Sequence, residues 1–287
     1  MKRFLPLFAC VWFLAACSSV PEPRARIQQA DALAASKGWL PSPISAGVFR
    51  LMRYTPAAYV AGDQLTVYIE GDGLAWINGQ QPSSDPTPNN PLALRLALAH
   101  PRGNAAYLGR PCQYVGADSA GCAERYWTHQ RFAPEVIEAS SQALDSLKKQ
   151  FAAQKITLVG YSGGAAVALL LAARRSDIAQ VITVAGNLDH QSWTRMMRVE
   201  ALAGSLNPAD VTGQLQNIRQ THFAGAGDRT VPAALIIDFS KRFPSGKQPV
   251  VIVKPDYGHA CCWAENWPQL LREAEALPGQ ASGSGEM

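Results

Sequence analysis

The chain has 287 residues, 47 % of them hydrophobic and 17 % charged, with a formal net charge of +4. That length suits one large α/β domain, and the composition supplies ample material for a buried core. Lys2 and Arg3 account for two of the surplus charges and no Lys/Arg cluster occurs, which excludes the footprint expected of a nucleic-acid binder.

Met1-Lys2-Arg3 is a short positive region, and Phe4 to Ala16 is an apolar stretch too short to span a bilayer permanently. It ends in Leu14-Ala15-Ala16-Cys17, which resembles the bacterial lipoprotein box. Residues 1–16 are therefore expected to be a cleaved signal peptide, and Cys17 a lipidated first residue. An ordinary secretory signal with an incidental cysteine is the other reading. Ser18 stands where an inner-membrane retention signal places Asp, so the expected location is the outer membrane of a Gram-negative envelope, facing the periplasm. Acyl chains on Cys17 make the membrane a partner through the anchor, since each buried CH₂ contributes roughly 0.8 kcal/mol.

The elements follow in order. Residues 17–46 read as a lipidated tether and N-terminal segment: Ser18 to Arg26, with Pro21 and Pro23, is the tether, and Ile27 to Lys37 has a helix-compatible pattern. Phe49 to Tyr54 and Leu65 to Ile69 read as strands, Leu92 to His100 as a helix, and Ala105 to Leu108 as a strand. Pro134 opens a helix reaching about Ala153. Ile156 to Val159 is a buried strand, followed by the apolar helix Ala165 to Arg174. Strands are expected over Val181 to Ala185, His222 to Ala224 and Val250 to Val253, with helices over Ala233 to Phe243 and Ala264 to Leu277. Short apolar strands alternating with helices predict a mostly parallel sheet with helices on both faces, in one domain over residues 47–277. The Gly/Ser-rich end, 278–287, reads as a flexible tail.

Of six cysteines, Cys10 and Cys17 belong to the leader and anchor. Cys112, Cys122, Cys261 and Cys262 remain, and an even number in an exported domain points to disulfides. Cys112 and Cys122 enclose nine residues containing Gly116 and Gly121, a loop that closes easily, so a bridge is expected there. Adjacent Cys261 and Cys262 pair only through a strained ring, and a bridge between the two cysteine regions stays open. No spacing resembles a zinc site, and neither a metal nor a cofactor is expected.

Gly160-Tyr161-Ser162-Gly163-Gly164 stands between a buried strand and an Ala-rich helix. A sharp strand-to-helix turn needs very small residues two before and two after the serine, and it lifts the hydroxyl to a helix N-terminus. Ser162 is the expected nucleophile; the bland reading is a glycine-rich turn for close packing. Asp228 follows in Gly225-Ala226-Gly227-Asp228-Arg229-Thr230-Val231-Pro232, as the acid that orients an imidazole or as a helix cap. His259, in Tyr257-Gly258-His259, is the expected general base. His222 precedes the acid within a strand and reads as buried. His190 reads as a loop or capping residue, with a substrate contact as the alternative. Asp256 stands too close to His259 to serve it. For the oxyanion, the backbone N–H of Gly163 is one expected donor, and Asp72 and Gly73 in Glu70-Gly71-Asp72-Gly73 are candidates for the other. The carboxylate of Asp72 would oppose an oxyanion unless turned away, or would tie the loop down. Arg110, Gln113 and Arg131 flank the cysteine-bearing loop; structural hydrogen bonds are their first reading and contact with an acidic substrate group their second. Trp76 and Trp263 are candidates for lining a pocket, and Trp267 for packing.

The GxSxG elbow, the Gly-x-x-Asp-x-x-Val-Pro loop and the late Gly-His together resemble the α/β-hydrolase superfamily, over roughly residues 47–277. Tyr68-Ile69-Glu70-Gly71-Asp72-Gly73, Asp85-Pro86-Thr87-Pro88 and Arg110-Pro111-Cys112-Gln113 are similar to a group of uncharacterised bacterial hydrolase lipoproteins. The resemblance implies an eight-stranded or slightly reduced sheet and esterase-like chemistry on a small-molecule or lipid-like acyl substrate. Thioesterase, acyltransferase or peptidase chemistry, and a non-catalytic envelope lipoprotein, are the alternatives. In this fold a cap commonly follows the strand after the nucleophile helix, here residues 187–220. With a crossing helix at Gln191 to Arg198 or Gln214 to Arg219, the rest is enough for a small cap only. Met196, Met197 and Leu202 are expected to form its apolar underside.

Overall fold

The computed structural model describes residues 20–277; the signal segment, Cys17 and the tail after residue 277 lie outside the described residues. Its strands are β1 (Trp39–Ala46), β2 (Phe49–Pro56), β3 (Gln64–Ile69), β4 (Ala105–Leu108), β5 (Lys155–Tyr161), β6 (Ile178–Val184), β7 (Arg219–Gly225) and β8 (Val250–Lys254). Its helices are α1 (Pro23–Ala35), α2 (Leu92–Leu98), α3 (Pro134–Phe151), α4 (Gly163–Ala172), α5 (His190–Met197), α6 (Thr212–Leu215), α7 (Ala233–Ser240) and α8 (Trp267–Ala276).

The strands form one sheet in the order β1-β2-β4-β3-β5-β6-β7-β8. β1, β2 and β4 pair antiparallel, and every pair from β4 through β3 to β8 is parallel. Alternate residues of the central strands serve opposite faces. Val67, Leu158 and Val181 join the core under α3 and α4, while Tyr68, Val159 and Ile182 join the core under α1, α2 and α8. Burial on both faces explains the nearly continuous apolar runs of β5 and β6. Helix α4, Gly-Gly-Ala-Ala-Val-Ala-Leu-Leu-Leu-Ala, is buried at every position, as a helix apolar all round must be.

Two differences from expectation concern the N-terminal part. The tether is helical from Pro23, and β1 is a strand that the sequence pattern does not announce, so residues 23–46 belong to the folded body rather than preceding it. Pro41 and Pro43 conceal β1 in the sequence. A strand pairing on one side only tolerates them, because the missing N–H groups are not needed there. In the interval 187–220, α5 and the four-residue α6 both form, with a 3-10 turn at Pro208–Asp210. Met196 is exposed rather than forming an apolar underside, whereas Leu202 is buried.

Candidate active site

The turn from β5 into α4 carries Ser162 at φ 51°, ψ −119°. A non-glycine residue at positive φ is strained, and surrounding contacts hold it there. The Ser162 N–H donates to the Val184 carbonyl at 3.0 Å, and the Ser162 carbonyl accepts from Asn187 N–H at 3.0 Å. Small neighbours are compulsory. A Cβ on Gly160 would lie 2.5 Å from Cα of Ala165, and one on Gly164 would lie 2.3 Å from the Ile69 carbonyl oxygen.

The end of β7 supplies Asp228 and the end of β8 supplies His259. Oδ1 of Asp228 accepts the N–H groups of Thr230 and Val231, both at 2.8 Å, which leaves Oδ2 to accept from Nδ1 of His259 at 2.8 Å. Nε2 of His259 lies 3.0 Å from Oγ of Ser162. The Asp228 side chain is fully buried and the imidazole 19 % exposed, so solvent reaches only the reacting end of the relay. The two loops brace each other, since Tyr257's carbonyl accepts the N–H of Gly227 at 2.9 Å. Trp263, a candidate for the pocket wall, is instead fully buried below the histidine, donating from Nε1 to the carbonyls of Gly258 and His259. Trp267 packs in the core, with Nε1 donating to Tyr68 Oη. His222 is buried against Thr183, and burial pushes its pKa down to about 3. His190 opens α5 and is buried, which lowers its pKa; Asp256 is exposed and does not touch His259.

The opposite wall is the loop after β3. The Asp72 carboxylate occupies the space a side chain at 163 would need, with Oδ1 2.0 Å from where that Cβ would stand. Two cations balance its charge: Nη1 of Arg110 donates to Oδ1 at 3.3 Å, and Nη1 of Arg131 donates to Oδ2 at 2.7 Å. Burial works against this carboxylate, but the two guanidiniums outweigh it and hold its carboxyl below the usual range. Gln113 donates to the Gly71 carbonyl at 2.9 Å and accepts from Arg110 N–H at 3.0 Å. Among the described residues, the N–H groups of Gly163, Asp72 and Gly73 have no hydrogen-bond partner. Glu70 behind them is buried and accepts from Gly71 N–H at 2.9 Å, Ala93 N–H at 3.3 Å and Tyr107 Oη at 3.1 Å; burial raises its pKa to about 7.

Arg110 and Arg131 flank, and Gln113 lies within, the segment that the Cys112–Cys122 disulfide closes, the two Cα atoms 5.6 Å apart. Cys112 packs with Ala75 and Trp127, on the back of the loop that Gln113 holds. Cys261 and Cys262, the pair that only a strained ring allows, also lie bonded, with Cα atoms 3.7 Å apart.

A cleft of about 420 Å³ lies over Ser162 and His259, walled by Leu74, Ala75, Trp76, Trp193 and Val231. It adjoins a side pocket of about 670 Å³ that shares Trp76, Arg131 and Trp193 with it. Trp193 is a site residue that the sequence reading misses: it stands on α5 and donates from Nε1 to the Thr230 carbonyl at 2.7 Å, tying that helix to the acid loop. The only signal for it is its place in the interval read as a cap.

Eight strands in this order, with a strained serine between β5 and α4, an acid after β7 and a histidine after β8, decide the architecture. The chain has the α/β-hydrolase fold. Among similar solved structures, Est1E from Butyrivibrio proteoclasticus superposes with a TM-score of 0.54 at 15 % identity, covering 83 % of this chain and 99 % of its own. An esterase from Pyrococcus furiosus gives 0.58 at 15 % identity, covering 84 % and 93 %. The acylaminoacyl peptidase of Pyrococcus horikoshii gives 0.59 at 10 % identity, covering 89 % of this chain but 45 % of that longer one. No family model matches the sequence, and neither does any curated protein.

Proposed function

We propose that this α/β-hydrolase-fold chain is a serine hydrolase that cleaves carboxylic esters through an acyl-enzyme on Ser162. The observation that carries the reading is the continuous hydrogen-bonded chain from Ser162 Oγ through His259 to the buried Asp228. His259 takes the serine proton as Oγ attacks the ester carbonyl, and Asp228 holds the imidazole in the required tautomer and stabilises its cation. The N–H of Gly163 and one from Asp72 or Gly73 receive the developing oxyanion, which is consistent with their lack of other partners. The tetrahedral intermediate expels the alcohol, protonated by His259, and water then releases the acid by the same route. Similar folds among esterases favour this reading, and the peptidase among them keeps amide cleavage as the second reading.

The cleft's volume of about 420 Å³ supports short or medium acyl chains as substrates. We also place the protein on the envelope membrane, held by acylated Cys17 and facing the periplasm; Cys17→Ser should then yield an unprocessed or mislocalised precursor. The enzymatic reading is tested with a fluorophosphonate probe and a panel of p-nitrophenyl esters from acetate to palmitate. Labelling and turnover that vanish together in Ser162→Ala support it. Undiminished labelling of that variant contradicts it, and a clear preference for palmitate contradicts the chain-length reading.

A further inference from the structure

One cation at the site is only partly used by the fold. Arg131 is buried, its side chain 7 % exposed, yet it borders both the cleft over Ser162 and the adjoining side pocket. Its Nε donates to the Thr128 carbonyl at 2.5 Å and its Nη1 to Asp72 Oδ2 at 2.7 Å. Nη2 donates to nothing among the described residues, and it is not among the atoms sealed from solvent. Nη2 therefore keeps some exposed surface and no acceptor among the described residues, in a side chain that borders both cavities. The local charge points the same way. Arg131 and Arg110 share the single carboxylate of Asp72, which leaves one positive charge in excess. In a wall this poorly hydrated, an opposite charge is attracted more strongly than at an open surface.

The remaining charged groups limit where an anion can sit. Glu70 borders the cleft, but burial raises its pKa to about 7, so near neutrality it repels less than an ordinary carboxylate. Glu124 and Glu200 are exposed residues of the side pocket, beside His129. They disfavour an anion far from Arg131. Trp76 and Trp193 line the passage between the two cavities, offering apolar walls to the uncharged part of a ligand.

We propose that Arg131 is a specificity-determining residue that binds one carboxylate or phosphate group carried by the substrate a few bonds from the cleaved ester. This rests on the serine-hydrolase reading and narrows its substrate class to esters that carry one carboxylate or phosphate group. Each test compares an anionic ester with a neutral one of similar size. For an anion on the acyl side, mono-4-nitrophenyl adipate is compared with 4-nitrophenyl hexanoate; for one on the alcohol side, 1-butyrylglycerol 3-phosphate is compared with 1-butyrylglycerol. In at least one pair, kcat/KM should favour the anionic member by about tenfold or more, the worth of one hydrogen bond to a charged group. Arg131→Gln should abolish that ratio chiefly through KM, and Arg131→Lys should restore part of it. Ratios of one or below in both pairs, or a ratio unchanged in Arg131→Gln, would overturn the proposal, whereas hydrolysis of the neutral esters by the parent protein reports separately on the serine-hydrolase reading. Equilibrium binding tests the same assignment without turnover and without an Arg131 variant. Ser162→Ala protein should bind monomethyl adipate or glycerol 3-phosphate about tenfold more tightly than dimethyl adipate or glycerol respectively. Equal or weaker binding of both anions would overturn the assignment even if neither ester pair is hydrolysed.

Discussion

The two walls of the cleft are built in opposite ways. On the acid and histidine side, Asp228 and His259 stand on neighbouring turns after β7 and β8, and backbone N–H groups hold them: those of Thr230 and Val231 donate to the Asp228 carboxylate, and that of Gly227 to the Tyr257 carbonyl. On the other side, the loop after β3 is held by side chains reaching from far along the chain. Gln113 crosses 42 residues to Gly71, Arg110 38 residues to Asp72, and Arg131 59 residues to the same carboxylate. The first wall is a property of strand ends, and the second is a property of the long segment between β4 and α3, which a disulfide closes. Chemistry should therefore be lost abruptly when the first wall is altered. Alteration of the second should instead change stability, rate and selectivity by degrees.

The largest expected effect is at the nucleophile itself. Ser162→Ala should lower kcat by about 10⁶, as removal of one member of a cooperating triad does. Asp228→Asn should cost about 10⁴ in kcat with the circular dichroism spectrum unchanged, because the histidine loses its orienting anion while the packing stays. Asp256→Asn, at an exposed residue of the same wall, should stay within severalfold of the parent. A comparable loss there would mean that the acid has been misassigned.

The second wall is probed by pH and by reduction. Glu70 is raised from an ordinary carboxyl pKa of 4.5 to about 7, so folding favours its protonated form. Its contribution to stability is full below pH 4.5 and is lost as pH rises through 7, amounting to up to about 3 kcal/mol. Urea titrations at pH 4.5, 6 and 8 should show that decline, and Glu70→Gln should flatten it; an equally steep decline in the variant would exclude Glu70 as its source. Replacing Cys112 and Cys122 together by Ser should cost about 2–3 kcal/mol. Turnover should fall severalfold as Arg110 and Gln113 lose their fixed positions, with Ser162 still labelled.

This contrast also explains what can be read in the sequence. Ser162 and Asp228 are legible because each stands in a turn whose backbone demands glycine nearby, a constraint written within five residues of the side chain, and His259 because it follows the last strand in the order that such an elbow implies. The sheet is legible from β3, β5 and β6, whose apolar runs follow from burial on both faces. Roles on the other wall are not. Nothing local distinguishes Arg131 from any solvated arginine, and whether Asp72 opposes or braces the oxyanion loop depends on two partners that only the fold brings near. Trp193 is silent in the sequence because its function is to join α5 to the acid loop, a tertiary contact without a pattern. Strand β1 is hidden by Pro41 and Pro43, which signal a break everywhere except at a sheet edge.

Helix α1 has a practical bearing on how the protein can be shortened. Arg26 is buried against Asp85, 3.5 Å from Nη2 to Oδ1, and also donates to the carbonyls of Asp85 and Thr87. Between those residues, Pro86 offers its carbonyl to the N–H of Leu74 at 3.1 Å, in the wall of the catalytic cleft. Trimming residues 1–19 keeps this strut. Trimming to residue 47, the start of the domain expected from the sequence alone, would remove α1 and β1 and take the counter-charge from Asp85, a defect worth up to about 3–5 kcal/mol where the carboxylate stays buried. A variant cut there would then test inactive for want of a helix that lines no part of the cleft over Ser162.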